Sequence, residues 1–497
     1  MNIKGPVSFM SAASNHALAA VRSHFVTRLI ASLFLIASTA SCCAAARHIF
    51  HANDYGALGD GRTLDTVALQ KALDAAGANG GGTVDLKPGV YLTGSLFLKS
   101  HTHLRLDKGV TLLGTPLASS YPLVHTRAAG VEMQWPAALV NVDGQTDVAI
   151  EGTGTIDGDG KPWWDAFWSR VPAYESRGLR WAVDYDVQRP ELIRIYNSDS
   201  VRIGGGLLLK RSAFWTVHIC YSTHVAVSGV TIRDNDGSSD LGPSTDGVDI
   251  DSSRHVLVEK VDIENNDDGI CLKAGMNADG LRVNRPTEDV VIRDSIIRAA
   301  ISGIAFGSDT AGGFRNIKIS GITVLGGVRY GIYMKATHTR GGWTRGVTIR
   351  DVKMSGVKTA IEIDLDYFPA FSTPKIPPGI ERNLPPGLTS IPSYWSILAA
   401  PVDPARGIPH FRDVTLEDIH GENVGTAFEV NAAPDAPLEQ FTLRNIDLRA
   451  QHAGSIRHTL GWRMVNVRVE AGDGSTVKIE DMRRTKGIIE PLASLGH

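Results

Sequence analysis

Asp246-Gly-Val-Asp-Ile250, Asp268-Gly-Ile-Cys-Leu272, Ser302-Gly-Ile-Ala-Phe306 and Tyr330-Gly-Ile-Tyr-Met334 are four copies of one frame, x-Gly-apolar-x-apolar. Apolar residues at alternate positions mean a strand with one buried face. With glycine always second, the copies read as successive rungs of one sheet, with Gly247, Gly269, Gly303 and Gly331 stacked. In that register Asp249, Cys271, Ala305 and Tyr333 face outward, and Lys335 follows on the side of Tyr333. Ala360-Ile-Glu-Ile363 and Ala427-Phe-Glu-Val430 continue the series more loosely.

A second set of alternating segments runs along most of the chain: His103-Leu-Arg-Leu, Asp147-Val-Ala-Ile, Ser200-Val-Arg-Ile, His224-Val-Ala-Val, His255-Val-Leu-Val, Asp289-Val-Val-Ile, Asn316-Ile-Lys-Ile, Gly346-Val-Thr-Ile, Asp413-Val-Thr-Leu and Gln440-Phe-Thr-Leu. From Ser200 to Gly346 their starts lie 24, 31, 34, 27 and 30 residues apart, a solenoid period. Strand-only repeats with Gly and Asn turns predict an all-β fold, a right-handed single-stranded parallel β-helix whose coils stack about 4.8 Å apart. One stretch differs. Asp65 to Ala76 has helical periodicity, closed by Gly77 and Gly80 to Gly82, and predicts a helix capping the open end within an N-terminal cap region, 47–115. A Pro-rich segment, 368–409, interrupts the repeat as a loop insertion, either functional or disordered.

The composition is that of a soluble globular protein: 497 residues, 43% hydrophobic, 21% charged, formal charge -3. That charge gives no global field to draw in a polyanion, so nucleic acid is not an expected partner. Attraction for an acidic polymer must be local, from Lys273, Arg282, Arg285, Lys335, Arg340 and Arg345. Arg22, His24 and Arg28, an apolar run from Leu29 to Ala37, and Ala44 to Ala46 have the order of a secretory signal peptide over 1–46, with Met10 an alternative start. The run is short for a membrane span, so a secreted or periplasmic monomer is expected over 47–497. Lipid anchoring at Cys42 fits its surroundings less well. Cys220 and Cys271 leave one possible disulfide and no cysteine-based metal site.

The rung alignment puts Asp246 and Asp268 in the same slot on neighbouring rungs, with Asp267 beside them. Three clustered carboxylates admit calcium ligation, joined by Asp249 and Asp251, a solvated surface, or acid/base catalysis. Inverting glycoside hydrolysis needs two carboxyls about 6.5–9.5 Å apart, a range that rung spacing plus lateral offset supplies.

Ser244-Thr-Asp-Gly-Val-Asp and Asn266-Asp-Asp-Gly-Ile closely resemble the Asn-Thr-Asp and Asp-Asp signatures of glycoside hydrolase family 28, the polygalacturonase family. The resemblance extends to Asp54-Tyr-Gly-Ala-Leu-Gly-Asp-Gly, Gly158-Asp-Gly-Lys-Pro-Trp-Trp, Arg189-Pro and Ala213-Phe-Trp-Thr-Val-His, covering about Phe50 to Gly342. It implies a β-helical hydrolase of α-linked galacturonate in pectic polysaccharide or oligosaccharide, acting with inversion and needing no metal or cofactor. It also implies Asp267 as general acid, with Asp246 and Asp268 holding the attacking water. Two departures stand out: the family Gly-His-Gly aligns with Ala300-Ile301-Ser302, losing the histidine, and Arg-Ile-Lys becomes Tyr333-Met334-Lys335, losing the arginine.

Lys335 is a candidate partner for a uronate carboxylate, and Tyr333 for stacking on a sugar ring or sheltering the sheet. Ser308 and Asp309 are further candidate substrate contacts. Trp163, Trp164 and Trp168, read as lying near a loop, suit sugar faces or aromatic packing. Asn265 and Asn266 read as turn residues. A wall built by the insertion favours attack at chain ends. Two rivals remain, a calcium-dependent lyase on the same fold and a carbohydrate-binding β-helix without activity.

Overall fold

The computed structural model describes residues 48–235, 241–298 and 300–492. The signal-peptide reading and Cys42 therefore lie outside the described residues. The chain winds as a right-handed parallel β-helix, each strand pairing with those one coil before and after. One column shows the register: Val148, Val201, Val225, Val256, Val290, Ile317, Val347 and Val414 stand opposite one another in turn. All eight are buried.

The residue before each member of that column explains the winding. Asp147, Ser200, His224, His255, Asp289, Asn316, Gly346 and Asp413 all have φ between 51° and 62°. A left-handed residue at this point of each coil turns the chain, and short polar residues or glycine tolerate that conformation best. The polar starts of the repeated segments are thus their corners.

The expected glycine stack is present. Val248 pairs with Ile270, Asp268 with Ser302, and Ser302 with Tyr330, which aligns Gly247, Gly269, Gly303 and Gly331. A Cβ on Gly247 would stand 2.5 Å from the Gly269 carbonyl oxygen, and one on Gly269 2.6 Å from the side chain of Ile297. The frame keeps glycine because this corner packs against the rung above and the adjoining sheet. We label the rungs β1 (Val217–Cys220), β2 (Val248–Asp251), β3 (Asp268–Lys273), β4 (Ser302–Phe306), β5 (Tyr330–Lys335) and β6 (Thr359–Asp364).

Helix α1 (Thr66–Ala78) is the expected cap, buries Leu69, Ala72, Leu73 and Ala76, and packs on the first coil strands. Asp65 lies just outside it, its carboxylate accepting from the backbone N–H groups of Leu58 and Gly59.

Two further helices, α2 (Lys161–Glu175) and α3 (Arg180–Asp186), stand where no helix was expected. With an antiparallel hairpin, Leu123–Ala128 and Val131–Pro136, they build a second apolar cluster outside the coil, including Trp135, Phe167 and Trp181. The insertion is ordered on this cluster: Ile380, Trp395 and Leu398 are buried in it, Trp395 packs against Trp181, and the Tyr394 hydroxyl donates to Asp186. Burying such aromatic surface is strongly favourable, so the insertion is fixed against the helices.

Candidate active site

The outward faces of β3 and β5, and the residues flanking β2, β3 and β4, carry the candidate residues. Asp246, just before β2, stands opposite Asp268, the first residue of β3, and their carboxylate oxygens lie within 4.8 Å. Each has its own ammonium. Lys335 Nζ donates to Asp268 Oδ2 at 2.7 Å, and Lys273 Nζ lies 3.1 Å from Asp246 Oδ2. The two lysines share one column, Lys273 opposite Gly307 and Gly307 opposite Lys335, so both reach the same acids from one side. Ser302 Oγ donates to Asp268 Oδ1 at 2.7 Å.

Asp267 differs. It is half-buried, its Oδ1 accepts from the Asp268 backbone N–H at 3.0 Å, and no lysine or arginine among the described residues lies within ion-pair distance of it. Asn265 ties the turn below by donating to the carbonyls of Thr245 and Asp268.

Burial and repulsion distribute the protons. Burial pushes the Asp267 carboxyl well above the usual aspartate range, and the Asp246 and Asp268 charges push it further. Burial also raises Asp246, which Lys273 only partly offsets. Asp268 is equally buried, yet Lys335 and then Lys273 outweigh that and hold it below its ordinary value. One carboxyl that keeps its proton beside one that sheds it is an acid/base arrangement.

These groups line a small pocket of about 80 Å³ with Ser308, Asp309, Asp184, Trp215, Ala129, Tyr367 and Phe371. Its walls come from the hairpin turn, α3 and the first residues of the insertion.

The expected site residues fall unevenly. Asp246, Asp267, Asp268, Lys335, Ser308 and Asp309 converge on the pocket. Tyr333 does not line it: the ring is buried against Tyr330 and Tyr367 and lies 5.0 Å from the Lys335 ammonium, which it supports. The tryptophans sit on α2, not near a loop. Trp164 is core, its Nε1 donating to the Ser212 carbonyl, and exposed Trp168 donates to the Leu241 carbonyl.

Among the expected local cations only Lys273 and Lys335 line the pocket. Arg340 is buried behind it, bonded to Asn277 and Ser308. Cys220 and Cys271 are both free and buried, so the possible disulfide is not formed. The sequence marks Lys273 only as a nearby cation, and its column identity with Lys335 is the signal that assigns it to the site. Asp184, Tyr367 and Phe371 come from outside the repeat, where no period points to them.

The comparisons agree with this geometry. The model of Glycosyl hydrolases family 28 matches residues 83–382, more than half of the chain. A Vitis vinifera protein named "Probable polygalacturonase" is 28% identical over 424 residues, covering 83% of this chain and 76% of the relative. An "Exo-poly-alpha-D-galacturonosidase" of Dickeya chrysanthemi is 24% identical over 449 residues, covering 82% and 68%. The crystal structure of an exopolygalacturonase from Thermotoga maritima superposes with a TM-score of 0.66 at 22% identity, covering 89% of this chain and 92% of that one.

Proposed function

The chain belongs to glycosyl hydrolases family 28 and is a glycoside hydrolase, and from that premise we propose that its pocket cleaves a terminal α-glycosidic bond of galacturonate-containing pectic chains with inversion. Asp267 protonates the leaving oxygen, Asp268 takes the proton of the attacking water, and Asp246 helps to hold that water. The observation that carries this reading is the unequal pairing of the three acids. Asp246 and Asp268 each face an ammonium, whereas Asp267 has none within ion-pair distance among the described residues. The missing family histidine aligns beside Ser302, whose hydroxyl now steadies Asp268.

The pocket is walled on part of its rim by the hairpin turn, α3 and the insertion, which suits a chain end better than a chain interior. The names of the Dickeya and Thermotoga proteins support exo action. A calcium-dependent lyase fits less well, because Lys273 and Lys335 already occupy the carboxylates that a calcium ion would need. The basic, apolar and small-residue order over 22–46 supports export.

Proton NMR of the first product from oligogalacturonide tests the mechanism. A single new reducing end of inverted configuration is expected. A retained anomer would reassign Asp246 and Asp268, and an unsaturated product would mean a lyase.

A further inference from the structure

Resting on the hydrolase reading, we propose that Lys273 is a positioning residue that keeps Asp246 ionised and aimed at the attacking water, with buried Asp249 fixing the ammonium in place. The geometry is specific. Lys273 is almost fully buried, and its Nζ lies 3.1 Å from Asp246 Oδ2, 3.4 Å from Asp249 Oδ1 and 4.5 Å from the centre of the Trp215 ring. Two carboxyl groups and an aromatic face thus surround the ammonium. That setting aims the charge at Asp246.

Asp249 explains why it stays there. Its side chain is 0% exposed, it lies three residues after Asp246 on the same rung, opposite Cys271, and neither carboxyl oxygen has a hydrogen-bond partner among the described residues. The contact to Lys273 is close enough for charge but not aligned as a hydrogen bond. Burial, then the nearby Asp246, pushes Asp249 well above the usual carboxylate range. A neutral Asp249 holds the lysine by its dipole without competing with Asp246 for the full charge.

The reaction needs this arrangement because two carboxylates within 4.8 Å resist ionising together. Lys335 answers for Asp268, leaving Lys273 as the cation against Asp246. The titratable and charged groups facing this pair are His218 on β1, Asp249 on β2, Asp267 just before β3, Asp268 and Cys271 on β3, Lys335 on β5, Asp309, and Arg189 behind.

The test compares Lys273→Gln with Lys273→Arg, each checked for native folding by circular dichroism, in pH profiles on oligogalacturonide. For Lys273→Gln we expect kcat to fall about 10²–10³-fold, KM to change by less than about 3-fold, and the acid limb to move to higher pH. Lys273→Arg keeps the charge and should return the limb to its wild-type pH with part of kcat restored. If Lys273→Gln does not fold, Lys273→Arg decides: a limb displaced despite the retained charge overturns the proposal. So does a loss confined to KM, or an unmoved limb in the Gln variant. Absence of wild-type hydrolysis overturns the hydrolase reading and this proposal together, whereas an active wild type with an unmoved limb sinks the proposal alone.

Discussion

Lys335 and Asp268 lie two rungs apart on the outer face of the coil, yet their side chains meet at 2.7 Å, both almost fully buried. That pair holds one acid of the cluster ionised while its neighbour Asp267 keeps a proton. The asymmetry is the basis of the catalytic assignment.

Replacing Asp267 by Asn removes the transferable proton and nearly preserves shape. Turnover should fall about 10²–10⁴-fold with KM little changed. If steady-state kinetics instead show Asp267→Asn active and Asp268→Asn dead, the acid and base roles must be exchanged.

The pH profile of kcat/KM should be bell-shaped. Activity is lost in acid as Asp246, whose pKa burial has raised, takes up a proton, and in alkali as Asp267, raised further, gives its proton up. Asp268, held low, remains ionised across both limbs. An acid limb below the ordinary aspartate value of 3.8 would contradict this order.

Lys335→Met should destabilise the fold by about 3–5 kcal/mol near neutral pH, because it leaves a buried carboxylate without its cation. Since Asp268 has a depressed pKa in the folded state, its contribution exists above its unfolded value and fades as pH drops through the folded one. The gap in thermal midpoint between wild type and variant should therefore shrink below about pH 4. A gap independent of pH would show that packing, not charge, was lost.

Glu362, on β6 opposite Tyr333 and Glu429, has its pKa pushed up to about 8 by burial and then by Glu429 and Asp364. A carboxyl raised on folding stabilises in acid, and that benefit disappears as pH rises through the folded value. Glu362→Gln should thus gain on the order of 1 kcal/mol over wild type at pH 9, and nothing at pH 5. Thermal melts at the two pH values measure it.

With the insertion packed on α2 and α3, attack should start at chain ends. On polygalacturonate, viscosity should fall slowly relative to reducing-end release. A steep early loss of viscosity would mean that the pocket opens into a groove.

Much of this was legible along the chain. A parallel coil repeats one local solution, so strand alternation, corner residues such as His224 and Asp289, and the four stacked glycines all carried their own signal. The stack in turn places Asp246 against Asp268, because in-register pairing converts a sequence interval into a distance. Lys335 could be brought to the same face by the same counting.

What lies outside the coil follows no period, and only the tertiary structure decided it. Helices α2 and α3 carry weakly patterned stretches whose apolar residues face a hairpin and an insertion some 200 positions away, as the Tyr394 to Asp186 bond shows with its separation of 208. Those contacts turn an open face into a pocket and bring Asp184, Tyr367 and Phe371 to its rim. The same holds for the protons. The sequence placed three carboxylates together, but which of them stays charged depends on which ammonium reaches which oxygen, and on how completely water is excluded there.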